Sequence, residues 1–490
     1  MGTELTAQSS TAIARPNSEV AVVANERYPL ASAAHPQMEK VMRMPTFSEM
    51  AEELHRDGVA RDVSFQPENY AGNVLALANY MQVFFPTETL VRLALLLLGA
   101  IHAFFKAKQF GDEAYRRYTF MTMMLRKNKH LHALPPCIKT VLGGVFVLCG
   151  ASGTGKSSFI RQFMARLPGP FQLDASSMAA MPGLSGVFVF PCVRLDYPKC
   201  GSAKGLVRAM REYFSAHIDS IRLVEDKHSD AVSLPDMLAS DPVNAAITAC
   251  ISLNVGMLIV DGAGIQNSNY RSTEVLSVLT QIHEQSGMPV MLSCTAAFLK
   301  SIEHNETLYA NLTNHKTVNL ELLETPQPPP QPDSQGVVDP DYDVTRHMCK
   351  TWWCSGLLPK DTPMPTGLEY LVEKIAMGNQ RFYAQAFAAI HEELLDNVTN
   401  DEADPNRHVF NTAFLTDEEN TRGFIEAAMF ASAGARAALQ SALDLAHERI
   451  KAVPESVINF VDYFPMSLIQ IPAIAAWVTP AVDKRRGRLK

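Results

Sequence analysis

Cysteine is sparse in this chain and follows no close-set pattern. The eight cysteines, Cys137, Cys149, Cys192, Cys200, Cys250, Cys294, Cys349 and Cys354, are scattered over 490 residues. That excludes a small disulfide-stapled scaffold and points to a reducing compartment. No basic segment followed by an apolar core opens the chain, so MGTELTAQSSTAIARPNSEV at 1–20 does not read as a secretory signal. Long hydrophobic runs are missing as well. The greasiest stretch, 90–105, holds nine uninterrupted apolar residues between Arg92 and His102, where a bilayer-spanning helix needs about 20. It is expected to be a buried core helix, with no membrane partner. Neither sign of charge dominates: 43 Lys+Arg against 51 Asp+Glu gives −8. This excludes a chain coated in basic charge, although local basic surfaces stay open to it. With 47% hydrophobic and 19% charged residues, a mostly disordered chain, a coiled coil and a collagen-like fibre are excluded too. No tandem repeat is visible.

What is there divides the chain into segments. Residues 1–40 mix Ser, Thr, Ala, Pro and charge without period and read as a flexible or partner-binding arm. Residues 41–140 read as a helical N-terminal region, with Thr87 and Glu88 suited to a helix start. Residues 141–325 alternate short apolar strands with helices. The strands are 145–149, a second extended stretch at 187–190 and 192–195, then 257–260 and 289–292; 153–167 reads as loop then helix, and helices are expected at 204–218 and 273–285. Such alternation predicts an α/β fold with a parallel sheet covered on both faces. Residues 326–345 are a Pro-rich acidic linker. Helical patterns return at 367–395, 417–430 and 435–453, giving a helical lid at 346–435 and a C-terminal helix with a basic tail at 436–490. His347, Cys349 and Cys354 supply three soft ligands within eight residues, but a fourth ligand is missing nearby, which disfavours zinc.

The chemistry is carried by Gly150-Ala-Ser152-Gly153-Thr154-Gly155-Lys156-Ser157, followed by Ser158, which fits G-x-x-x-x-G-K-[ST]. In such a loop the glycines let backbone N–H groups surround a phosphate. Lys156 neutralises the β- and γ-phosphates, and Ser157 offers a hydroxyl to Mg²⁺. The following helix turns its positive end to the anion. The loop therefore predicts ATP and Mg²⁺ as ligands. A second magnesium ligand is expected at the end of another buried strand, and Asp261 stands there. The next residue, where a carboxylate would polarise the attacking water, is Gly262. Gln266, Asn267 or a swung-in Glu274 are the alternatives. Thr295, after the fourth strand, is placed to sense the γ-phosphate or orient water. Arg381, in Gly378-Asn379-Gln380-Arg381, is placed to report the nucleotide state from the lid.

P-loop, strand-end Asp, polar fourth strand and Gly-Asn-x-Arg, in this order and followed by helices, resemble an AAA+ ATPase. More narrowly the chain resembles the TnsC/TniB family of transposition regulators, and its length fits the longer TnsC-like members. The resemblance covers about 135–400 and is carried by 140–157, 197–204, 287–295 and 371–390. It implies an AAA+ P-loop core with a helical lid, and an ATPase that assembles in its ATP state on duplex DNA as a ring or helical filament. It also implies that the assembly links a target-selection protein to a transposase, in a bacterial cytoplasm. Within it, Lys199, Lys204 and Arg208, with Arg211 beyond, would face DNA through sequence-independent phosphate contacts. The basic stretch 126–133 and the tail Lys484, Arg485, Arg486, Arg488 and Lys490 are further candidate contacts. Two departures point to slow or partner-stimulated turnover. One is Gly262. The other is 308–316, which holds no Arg where a neighbouring subunit's finger is expected, leaving His315, Lys316 or Arg271. A nucleotide-switched signalling ATPase without DNA binding is the alternative, and a helicase loader or remodeller a third reading.

Overall fold

The computed structural model describes residues 31, 33–56, 83–108, 113–123, 134–139, 144–174, 186–199, 201–225, 242–267, 272–326, 344–354, 358, 362–400, 408–451, 455–476 and 478. Most of the N-terminal arm, the 126–133 basic stretch, Arg271, most of the Pro-rich linker and the 483–490 tail lie outside these residues.

Seven strands matter for the site: β1 Val145–Gly150, β2 Phe171–Asp174, β3 Gly186–Val189, β4 Val193–Asp196, β5 Leu258–Ala263, β6 Val290–Cys294 and β7 Lys316–Leu320. Five form one sheet in the order β4-β5-β6-β1-β7, and every pairing in it is parallel. The fold is α/β, as the alternation of short apolar strands and helices predicts. Buried Val, Ile, Leu and Phe side chains cover both faces of β1, β5 and β6, so these strands read as continuous apolar runs.

Two cores fill the two faces. On one, the helices Pro36–Met42, Phe47–Leu54 and Glu88–Ala107 pack through Met38, Leu54 and Leu97 against Phe159 and Phe163 of the P-loop helix. Arg166, at the end of that helix, closes this contact with an ion pair to Glu53 at 2.6 Å. Among the described helices, Glu88–Ala107 is the one long and apolar enough to cross a bilayer, and 61% of its most apolar window is buried inside the protein. His102, within it, shares a hydrogen bond of 2.6 Å with the Val41 carbonyl. On the other face lie the helices Ala203–Glu225, Pro242–Ser252, Ser272–Ser286 and Ala296–Ile302, together with the lid and the C-terminal segment.

The structure corrects the second extended stretch. Residues 186–189 leave the main sheet and pair antiparallel with β2, whereas 193–196 form its edge strand. Pro191 lies between them, and its missing N–H interrupts a ladder there. The segment 367–395 is two helices, Leu368–Ala376 and Gln380–Asp396, broken at Met377, Gly378 and Asn379. The helix expected at 435–453 is Ala433–Ala446. The chain then folds back: a 3-10 helix, Glu455–Tyr463, and a short helix, Met466–Ile469, pack on the Ala296–Ile302 helix beside the sheet's C-terminal edge.

Candidate functional site

In a parallel sheet all strands end on the same side, so the loops after them converge there. The P-loop follows β1, Asp261 lies in β5 and Thr295 follows β6, and the three line one cavity of about 540 Å³, within the usual size of a ligand pocket.

The P-loop turns sharply because Gly153 (φ +92°) and Gly155 (φ +86°) take the left-handed conformation. The helix Lys156–Arg166 then begins directly at the lysine. Lys156 is buried, and its Nζ donates to the carbonyls of Gly150 (2.8 Å) and Ala151 (2.7 Å). Burial pushes its ammonium below the usual lysine range, while Cys294, Cys149, Asp261 and Asp462 pull it back up. An incoming polyanion would favour the charged form in the same way. Thr154 is used inside the loop, donating to the Ala151 carbonyl at 2.9 Å. Ser158 accepts from Arg161 at 3.1 Å.

Ser157 Oγ donates to Asp261 Oδ1 at 3.2 Å, so the two expected magnesium ligands meet. Asp261 Oδ2 accepts from Arg194 Nη2 at 2.9 Å. Arg194, on the neighbouring strand β4, neutralises a carboxylate whose side chain is only 2% exposed, which matters because an unpaired buried charge is costly. The pairing uses one carboxylate oxygen and leaves Oδ1 facing Ser157. Nothing in the sequence reading pointed to Arg194; the available signal was a charge inside an otherwise apolar strand.

Gly262 has a physical explanation. The β5–β6 register shifts between Val260 and Ala263, and Gly262 takes φ +88°. This is a β-bulge with a left-handed glycine. An acidic side chain there would be strained, although a Cβ would meet nothing within 4 Å. Of the alternatives, Gln266 and Asn267 line the cavity. Asn267 Nδ2 donates to the Gly262 carbonyl at 3.2 Å. Glu274 is exposed on the Ser272–Ser286 helix and does not line the cavity.

Thr295 caps the helix Ala296–Ile302, accepting from Phe298 N at 3.2 Å, and its hydroxyl donates to Asp462 Oδ1 at 2.6 Å. Asp462 comes from the C-terminal 3-10 helix and also accepts from the backbone of Ile265 (2.9 Å) and Gln266 (3.3 Å). Its own carbonyl accepts from Ser152 N at 2.6 Å. One residue thus ties P-loop, β5 loop and Thr295 together. Sequence reasoning missed it.

The lid reaches the loop through Asn379. Asn379 caps the Gln380–Asp396 helix by accepting from Arg381 N (3.1 Å), and it donates Nδ2 to the Ser152 carbonyl (2.8 Å). Arg381 N donates to the Gly153 carbonyl at 3.0 Å. Its exposed guanidinium reaches Tyr463 Oη at 3.4 Å, on the cavity wall. The cavity also has apolar lining, from Val83, Phe84, Phe85, Met348, Trp352 and Ala384. It offers a flat base a greasy, aromatic wall. Glycine-turned amides, a lysine, a paired serine and aspartate, and this wall together fit a magnesium-bound nucleoside triphosphate. When bound, the ion would supply charge neutralisation at the phosphates.

The remaining candidates lie elsewhere. Lys199, Lys204, Arg208 and Arg211 are exposed in and after the loop following β4, on the same side of the sheet as the P-loop. Arg208 pairs with Glu212 at 2.8 Å. His315 packs edge-on against Phe146, and Lys316 pairs with Phe146 in the β1–β7 register. Lys316 stands four residues back from Gly150, about 13 Å along the strand, and His315 one residue further; neither lines the chain's own cavity. His347 packs on Phe85. Among the described residues, no group of three His, Cys, Asp or Glu is arranged to hold a metal.

No protein-family profile and no curated protein matches the chain. Among solved structures it is similar to the Walker-type ATPase PABY2304 of Pyrococcus abyssi, at 12% identity and TM-score 0.34, covering 66% of this chain and 83% of that one. It is similar to the Aeropyrum pernix ORC1 protein in complex with DNA, at 14% identity and TM-score 0.34, covering 77% and 94%. The Aeropyrum pernix ORC2 protein (ADPNP–ADP complexes) matches at 11% identity and TM-score 0.35, covering 77% and 95%. These scores are low, and the fold reading stands on strand order and loop geometry.

Proposed function

We propose that this chain is an AAA+ ATPase that regulates DNA transposition, assembling on duplex DNA in its ATP state and linking a target-selection protein to a transposase. The observation that carries the nucleotide part is the single cavity that unites Lys156, Ser157, Asp261, Thr295 and the lid's Arg381. Lid contacts to the P-loop through Asn379 and Arg381 give nucleotide binding a way to set the lid's position. Exposed Lys199 and Lys204, on the same side of the sheet, support phosphate-backbone contact without sequence choice. Arg381 and Lys316 are exposed, which suits a site completed by a second copy in a ring or filament. The transposase and target-selection partners rest on the order of sequence motifs alone.

One observation favours the second reading, a nucleotide-switched ATPase without DNA: Glu212 neutralises Arg208 and thins the basic face. Electron microscopy and size-exclusion chromatography with ATP and random-sequence duplex separate the two. Filaments or rings requiring both ligands support the regulator. ATP binding with only monomers on DNA supports the switch.

A further inference from the structure

We propose that Asp462 and Thr295 together activate the attacking water, in place of the acidic side chain absent at position 262. This rests on the reading of the cavity as an ATP-hydrolysing site.

The directions of the hydrogen bonds carry the inference. The Thr295 hydroxyl has one proton, and it lies on Asp462 Oδ1 at 2.6 Å. One of its lone pairs takes Phe298 N–H. What remains is an acceptor: Thr295 has no proton left for a phosphate oxygen, but it can accept one from water. Asp462 is buried and lines the cavity that also holds Lys156 and Asp261. Two backbone amides, Ile265 and Gln266, fix its orientation. A carboxylate behind a hydroxyl is a proton sink one bond removed from the reacting water. Gly262, whose left-handed φ the bulge requires, offers no side chain for that role.

The step balances as follows. The water oxygen bonds to the γ-phosphorus, and the bond from that phosphorus to the bridging oxygen breaks, its electron pair staying on the diphosphate. The water's proton passes to Thr295 Oγ1 while the Thr295 proton passes to Asp462 Oδ1. Reversal of this transfer returns the proton to the released phosphate. Hydrolysis thereby depends on the C-terminal segment, since the 3-10 helix Glu455–Tyr463 carries Asp462.

The test uses full-length protein with and without duplex DNA. Three quantities are read: phosphate release, equilibrium affinity for a fluorescent ATP analogue, and Tm. Asp462→Asn keeps an oxygen for Thr295 and Ile265 and loses the ability to take a proton. It should lower kcat about 100-fold or more, the range of general acid–base catalysis, while ATP affinity stays within about threefold. Thr295→Val should do the same, and the double variant should fall no further, as expected of two groups acting as one unit. Thr295→Val also carries the test if Asp462→Asn fails to fold. The proposal is overturned if Asp462→Asn turns over within about threefold of wild type. It is equally overturned if affinity and Tm fall in step with kcat, or if the two substitutions are additive. A wild type that binds ATP but never hydrolyses it refutes this pair alone. A wild type that binds no ATP refutes the nucleotide reading itself.

Discussion

Replacing Glu373 by glutamine should change how the protein's stability depends on pH, and the reason lies in the lid. Glu373 sits on the helix Leu368–Ala376, and its carboxyl accepts from Gly378 N at 3.2 Å and from the Tyr383 hydroxyl. These bonds hold the turn that presents Asn379 to the P-loop. Burial raises the Glu373 carboxyl from 4.5 to about 7, against the two hydrogen bonds, which lower it. The folded state therefore binds this proton more tightly than the unfolded state does. Its contribution to stability is full below about pH 4.5 and is lost as pH rises through about 7. At 1.36 kcal/mol per pH unit this displacement amounts to about 3 kcal/mol, which the carboxyl's partial exposure reduces to about 2. Glutamine keeps an acceptor for Gly378 and Tyr383 and has nothing to ionise. Between pH 5 and pH 8 the Tm of Glu373→Gln should gain on wild type by about 1–3 °C. Differential scanning fluorimetry of both proteins across that range reads the difference, and every other titrating group cancels. A difference that stays constant, or shrinks as pH rises, would refute the assignment.

Three further outcomes are expected. Lys156→Ala removes the buried cation facing the phosphate site and should abolish binding of a fluorescent ATP analogue; unchanged affinity would contradict the site. Arg194→Ala leaves Asp261 buried without its cation. It should lower stability without ligand by about 1–3 kcal/mol, less than a fully buried pair costs because Arg194 is partly exposed. Mg²⁺ with ATP should recover most of that loss in a thermal-shift assay, and an equal deficit with and without Mg²⁺-ATP would show that Arg194 does not serve this carboxylate. Lys199→Glu with Lys204→Glu should weaken DNA binding at every sequence and flatten its dependence on salt while ATP affinity is unaltered. An unchanged salt slope, read by fluorescence anisotropy, would move the DNA contact elsewhere.

The parts of the site visible in the sequence are those encoded locally. β1 is an unbroken apolar run leading into the glycines and Lys156, Asp261 follows the apolar part of β5 and Thr295 follows β6, so strand, loop and polar residue are read in one window. The turn at Met377–Asn379 shows as Gly-Asn before Arg381, because the cap and the left-handed residue are local demands. β7 was invisible because Lys-Thr-Val-Asn-Leu is a half-exposed edge strand with a weak apolar signal. Arg194 was invisible because its partner lies 67 residues away, on an adjacent strand, and pairing is set by sheet order. Asp462 is 167 residues from Thr295. Its only mark was one acid in the apolar run VINFVDYF at 457–464. The apolar wall at 83–85 likewise depends on how the N-terminal helices pack against the sheet.

The central claim is that ATP drives this chain onto DNA through the cavity around Lys156. Negative-stain electron microscopy of wild type and Lys156→Ala, each with random-sequence duplex and with or without ATP, tests it most directly. Rings or filaments should form only with wild type, duplex and ATP together. Monomers under that condition, or equal assembly by Lys156→Ala, would contradict it.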